Sequence, residues 1–174
     1  MTRSFLKGRF PAHGGGQLER PASGSWIFLT FFLSVVLDIA LDDLMWAPDF
    51  LALTLIFWTL RQPHSIGLGV AFLCGILMDA ALGSVLGQQS LAYVTMCYLA
   101  MTLSRRLAGF DLTGQALHIL PLLLISQIFV MLVRLWFDGL WPGWEWFLQS
   151  GAGALLWPLW ARALTPRASR GASL

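Results

Sequence analysis

The chain has 174 residues, enough for one domain, and 57% of them are hydrophobic while only 11% are charged. Soluble domains carry roughly 25% charged residues. So few charges could not cover a water-facing surface, which excludes an ordinary soluble enzyme, a nucleic-acid binder and a disordered chain, and leaves an integral membrane protein. The net charge of +2 matters less than where the charges sit, and nine Trp and twelve Phe suit a chain with membrane interfaces.

In chain order, residues 1–24 are basic and rich in Gly and Pro, and read as a disordered cytoplasmic tail. A secretory signal over residues 1–41 is the alternative, but its apolar region is long and its cleavage pattern poor. Six apolar runs follow: Trp26–Leu41, Pro48–Leu60, Ser65–Leu82, Gln88–Leu103, Gly114–Phe137 and Trp144–Leu164. A spanning helix takes about 20 apolar residues, so the second run is the short one. Period-2 alternation is absent, which argues against a transmembrane barrel. The expected fold is therefore all-α: six transmembrane helices in one bundle over residues 25–164, followed by a basic cytoplasmic tail over 165–174.

Charge placement decides whether the second run crosses. With six spans and a cytoplasmic N-terminus, ten of the eleven Lys and Arg face the cytoplasm, and Arg134 lies within the fifth span. With five spans, Arg61, Arg105, Arg106, Arg162, Arg167 and Arg170 change sides. The positive-inside rule favours six. Asp42, Asp43, Asp49, Asp138 and Glu145 then fall on the external side.

Three charges lie inside the predicted spans: Asp38, Asp79 and Arg134. A charge at mid-membrane costs about 2.5–3.5 kcal/mol on insertion scales, so such residues face the bundle interior or water. All three sit toward the external ends of outward-running spans. The expectation is an ion pair of Arg134 with Asp79 or Asp38; the alternative is that Asp38 and Arg134 snorkel to the interface. Gly75, Asp79, Gly83 and Gly87 recur every four positions, with Gly67 and Ala71 upstream. Small residues let helix backbones approach closely in lipid. This line serves either packing alone or a ligand cleft beside the Gly83–Gly87 loop.

Pro48, Pro63 and Pro142 mark span edges, Pro121 falls early in the fifth span, and Pro158 should kink the sixth. Trp136, Trp141, Trp144 and Trp146 surround the last external loop, as an interface belt or as a contact for a periplasmic partner. Cys74 and Cys97 read as small hydrophobes. Ser34, Ser90, Ser126 and Ser150 are nucleophiles by residue type only, since neither His64 nor His118 lies at their depth. No metal-ligand spacing and no phosphate-binding loop appears, so neither a catalytic site nor a cofactor is expected.

The stretch from Pro48 to Met101 carries Pro48 before a short apolar span, Trp58, the Pro63–His64 pair and the G-x-x-x-D-x-x-x-G-x-x-x-G spacing from Gly75 to Gly87. With Leu155-Leu156-Trp157-Pro158 before basic residues, it resembles the rod shape-determining protein MreD family, especially its proteobacterial members. The likeness covers about two thirds of the chain. The tail before the first span is longer than in the family, and spans one and five match only in hydrophobicity.

The resemblance implies a non-enzymatic inner-membrane component of the rod complex, acting with MreC, MreB and a glycosyltransferase–transpeptidase pair in side-wall peptidoglycan synthesis. It also implies a fold similar to the substrate-binding subunits of energy-coupling-factor transporters. On this reading a partner helix docks in a groove lined by Gly75, Gly83 and Gly87, with Asp79 pairing to it. A small-molecule-binding transporter subunit is the competing reading, and the scarcity of polar lining residues counts against it.

Overall fold

The computed structural model describes residues 23–44, 46–62, 66–107, 109–139, 141 and 143–165. The basic tails, the Pro63–His64 pair and Pro142 lie outside the described residues. The described residues form six α-helices and no strand: α1 Gly24–Ala40, α2 Phe50–Arg61, α3 Leu68–Leu82, α4 Gln88–Leu107, α5 Leu112–Asp138 and α6 Leu148–Leu164, with a 3-10 turn at Trp144–Phe147 leading into α6. By length and composition together, one stretch, Leu112–Phe137 of α5, is long and apolar enough to cross a membrane; α1, α2 and α3 are shorter apolar helices.

The helices match the six apolar runs closely, and the differences lie at the ends. The helix expected over Gln88–Leu103 continues to Leu107, and the run from Trp144 opens as a 3-10 turn before the α-helix proper. Helix α5 starts at Leu112 because the Asp111 carboxylate accepts the Gly114 amide (3.1 Å) as an N-cap. The same carboxylate accepts the Thr113 hydroxyl, and these bonds hold its pKa below the usual carboxylate range. Helices α5 and α6 continue through Pro121 and Pro158.

Helix α2 is the centre of the molecule. Every residue from Phe50 to Thr59 is buried, and the helix touches α1, α4 and α6. Trp58, Trp157, Tyr93, Met96 and Ile119 fill the space around it. Around this centre, α3 packs on α4, α4 on α5 and α5 on α6. The Trp26 indole donates to the Leu164 carbonyl (3.1 Å), tying the start of α1 to the end of α6.

The amphipathicity is inside out. Helix α1 buries Thr30 and Ser34 while exposing Phe28, Leu29, Phe32, Leu33 and Val36. Its buried hydroxyls belong to one network. The Trp160 indole donates to Thr54 (3.0 Å), the Trp58 indole to Thr30 (3.0 Å), and Ser34 lies 2.6 Å from the Thr54 hydroxyl. Ser34 donates to the Thr30 carbonyl (2.8 Å), so the Thr54 proton points at Ser34. Buried polar groups are affordable when they satisfy one another in this way.

Candidate functional site

Asp38 and Asp49 organise the junction of α1 and α2. The first four amides of a helix have no partner within it, and here they are buried. Asp38 accepts the amides of Phe50 (2.8 Å) and Leu51 (2.9 Å), one on each carboxylate oxygen. Asp49 accepts the Ala52 amide on its side chain (2.7 Å) and the Leu53 amide on its carbonyl (3.1 Å). The amides of Phe50, Leu51 and Ala52 thus find side-chain acceptors, and Leu53 opens the helical ladder on the Asp49 carbonyl. The other Asp49 oxygen accepts the Tyr93 hydroxyl (2.9 Å), which ties α4 to the same point.

Asp79 does the same for the turn between α3 and α4. It is 0% exposed. Its carboxylate accepts the Ser84 hydroxyl (2.9 Å), the Gly87 amide (2.8 Å) and the Gln89 amide (2.9 Å), the last within the first turn of α4. Gly83 ends α3 in the left-handed region (φ 64°), and Gly87 adopts φ 97° to aim its amide at Asp79. At Gly75 the backbones of α3 and α4 nearly touch: a Cβ there would lie 2.3 Å from the Ser90 Cα. The Ser90 hydroxyl donates to the Phe72 carbonyl (3.1 Å) across the same contact.

This geometry corrects two expectations. At Gly75 the expected groove is filled by α4 of the same chain, while a Cβ at Gly83 or Gly87 would meet nothing within 4 Å. Asp79 is engaged by three donors of its own turn. Arg134 pairs with neither Asp79 nor Asp38. Both carboxylates are drawn to backbone amides and a hydroxyl, while the Arg134 guanidinium lies over the Trp146 ring, 4.6 Å from its centroid. Backbone amides at a helix start are fixed in place and carry the positive end of the helix dipole, so they hold a carboxylate without ordering a long side chain.

A cavity of about 300 Å³ opens between these elements. Asp38, Asp42 and Asp49 line one side, and Arg134 and Trp146 lie on its α5–α6 side. Gln89, Tyr93, Ser126, Gln127, Gln149 and Ser150 add amides and hydroxyls, and Ala52, Met78, Leu82 and Leu123 add apolar wall. Gln127 is held by its neighbours: its amide donates to the Trp146 carbonyl (3.0 Å) and to Gln149 (2.8 Å), and it accepts from Ser150. Among the described residues, no three His, Cys, Asp or Glu come together as metal ligands.

The four tryptophans divide. Trp141 and Trp144 meet edge to face at 5.5 Å, and Trp144 lies 6.3 Å from Phe147. Trp136 stands apart, 86% exposed, and Trp146 turns inward under Arg134.

Sequence reasoning did not read the residues that line the cavity. It placed Asp49 only on the external side, weighed Ser126 and Ser150 as nucleophiles, and passed over Gln127 and Gln149. A signal was present: Ser126-Gln127 and Gln149-Ser150 put four polar residues into apolar runs at positions that an antiparallel α5–α6 pair brings level.

Comparison with known proteins gives a consistent result. The family model for rod shape-determining protein MreD matches residues 23–162. The rod shape-determining protein MreD of Haemophilus influenzae is 31% identical over 134 residues, covering 75% of this chain and 83% of that protein. No solved structure matches the chain. The match takes in all six helices but the last two residues of α6, together with the Asp79 turn and the cavity, and the chain belongs to the MreD family of rod shape-determining proteins.

Proposed function

We propose that the chain is a multi-pass protein of the bacterial inner membrane with both termini cytoplasmic, and that it acts as a non-enzymatic adaptor of the rod complex. In that role it works with MreC, and through the complex with MreB and the glycosyltransferase–transpeptidase pair that builds side-wall peptidoglycan. Family membership, which carries a role in rod shape determination, is the observation that supports this most directly.

The inside-out helices support the membrane part. Apolar side chains such as Phe28 (73% exposed), Leu73, Leu117 and Leu155 point outward over several helices, a surface suited to lipid and not to water. Charge asymmetry supports the orientation. Arg61 and Arg162 lie in the last turns of α2 and α6, and Asp38 and Asp49 lie at the opposite end, where α1 finishes and α2 begins. The exposed Trp136, Trp141 and Trp144 are the best placed to meet a periplasmic partner.

The test is purification of the tagged protein from native membranes in mild detergent, with mass spectrometry of what accompanies it, beside depletion in a rod-shaped host. The adaptor reading expects MreC among the co-purified proteins and rounding of depleted cells. Normal rods after full depletion would sink it. The cavity favours a second reading, a small-molecule-binding subunit of a transporter. That reading requires a cytoplasmic ATPase pair to co-purify in place of MreC.

A further inference from the structure

One side of the cavity gathers carboxyl groups and the other a guanidinium, and among the described residues no ion pair joins them. On the α1–α2 side, Asp38, Asp42 and Asp49 face the space around one helix start. A helix N-terminus supplies about half a positive charge to the three carboxyl groups gathered there. Asp38 and Asp49 each accept two side-chain hydrogen bonds from the protein. A carboxylate has about four acceptor positions, so each retains capacity.

On the α5–α6 side, the Arg134 guanidinium carbon lies over the Trp146 ring, 4.6 Å from its centroid. A guanidinium has five N–H donors, and a contact with a ring face does not use them all. The Trp146 indole nitrogen is itself buried without a hydrogen-bond partner. Ser126, only 5% exposed, also lines the cavity, and no side-chain hydrogen bond joins its hydroxyl to any described residue. Buried polar groups are normally satisfied, and those left open in a cavity mark where something else bonds.

We propose that this cavity binds a small zwitterion of the α-amino acid or dipeptide class. Its ammonium group sits against Asp38 and Asp49, and its carboxylate takes the edge of Arg134 and the Ser126 hydroxyl. The size agrees: about 300 Å³ is room for about ten water molecules and lies at the small end of ligand pockets. The chemistry also discriminates. A simple cation would leave Arg134 unanswered, and a simple anion would face three carboxylates.

The test uses the full-length protein in detergent micelles at pH 7, with thermal unfolding as the readout. The probes are the twenty amino acids and their alanyl dipeptides, each alongside its N-acetylated and C-amidated form. At least one free zwitterion should raise Tm by about 5–10 °C at a hundredfold excess over Kd. Blocking either terminus should weaken that ligand at least tenfold. R134Q should lose the shift. The proposal is overturned if no free zwitterion shifts Tm, if blocked forms bind as well as the free one, or if R134Q binds unchanged. The blocked probes act on the unaltered protein, so the test stands even where R134Q folds poorly, and no outcome depends on the rod-complex reading.

Discussion

Asp79 is worth more to this protein as a fastener than its depth in an apolar run suggests. Three donors converge on it, and removing the carboxylate strands two buried amides at the start of α4. Each stranded group costs about 1–3 kcal/mol, so Asp79→Ala should lose about 3 kcal/mol in reversible unfolding of the micellar protein. Arg134 has a different partner, so the double change with Arg134→Leu should be additive to within about 0.5 kcal/mol. Recovery of stability in the double mutant would restore the ion pair that the geometry denies. At this scale the sequence was half legible. The cost of a charge in lipid singles out Asp38, Asp79 and Arg134, and the structure buries Asp79 fully and sets the half-buried Asp38 and Arg134 along the cavity. Their partners were not readable, because a backbone amide leaves no trace in the residue letters, whereas an opposite charge does.

Helices α3 and α4 behave as one element. Gly75 permits their contact and the Asp79 turn fixes their register. Gly75→Ala sets a methyl group 2.3 Å from a backbone carbon, which no rotamer change relieves. It should cost about 2 kcal/mol or more by forcing the helices apart. Gly69 is the control: it lies in the same helix, and a Cβ there meets nothing within 4 Å. Gly69→Ala should therefore be neutral or slightly stabilising, since Ala favours helix by about 0.8–1 kcal/mol over Gly. Equal losses at both sites, measured by thermal unfolding, would refute the close-packing account. The four-residue spacing of small residues made the contact legible in the sequence. It did not say which helix would fill it, because a stripe of glycines accepts a neighbour from the same chain or another equally well. Element boundaries were legible to within a few residues, and the 3-10 entry to α6 was not, since Trp144–Phe147 is as apolar as the helix it precedes.

For the molecule as a whole, the proposed six-span reading puts the α1–α2 and α5–α6 junctions outside and the α2–α3 and α4–α5 junctions inside. Single cysteines at Asp43 and Gly109, introduced with Cys74 and Cys97 replaced by Ala, separate the arrangements. An impermeant thiol reagent should label D43C in intact spheroplasts and G109C only after lysis. Labelling of both from outside would refute the six-span orientation. The set of six helices was the most legible part of the sequence, because each is written as one continuous apolar run. The cavity was the least, being assembled by residues far apart in the chain. Helix α2 carries a consequence for biogenesis. Its 12 residues reach about 18 Å, well short of a bilayer core of about 30 Å, and from Phe50 to Thr59 it is buried by its own chain. A segment so short and so enclosed has little to gain from lipid by itself. It should enter the membrane late, drawn in by α1 and held once α4 and α6 close around it, so that integration of the second hydrophobic segment waits on synthesis of the last.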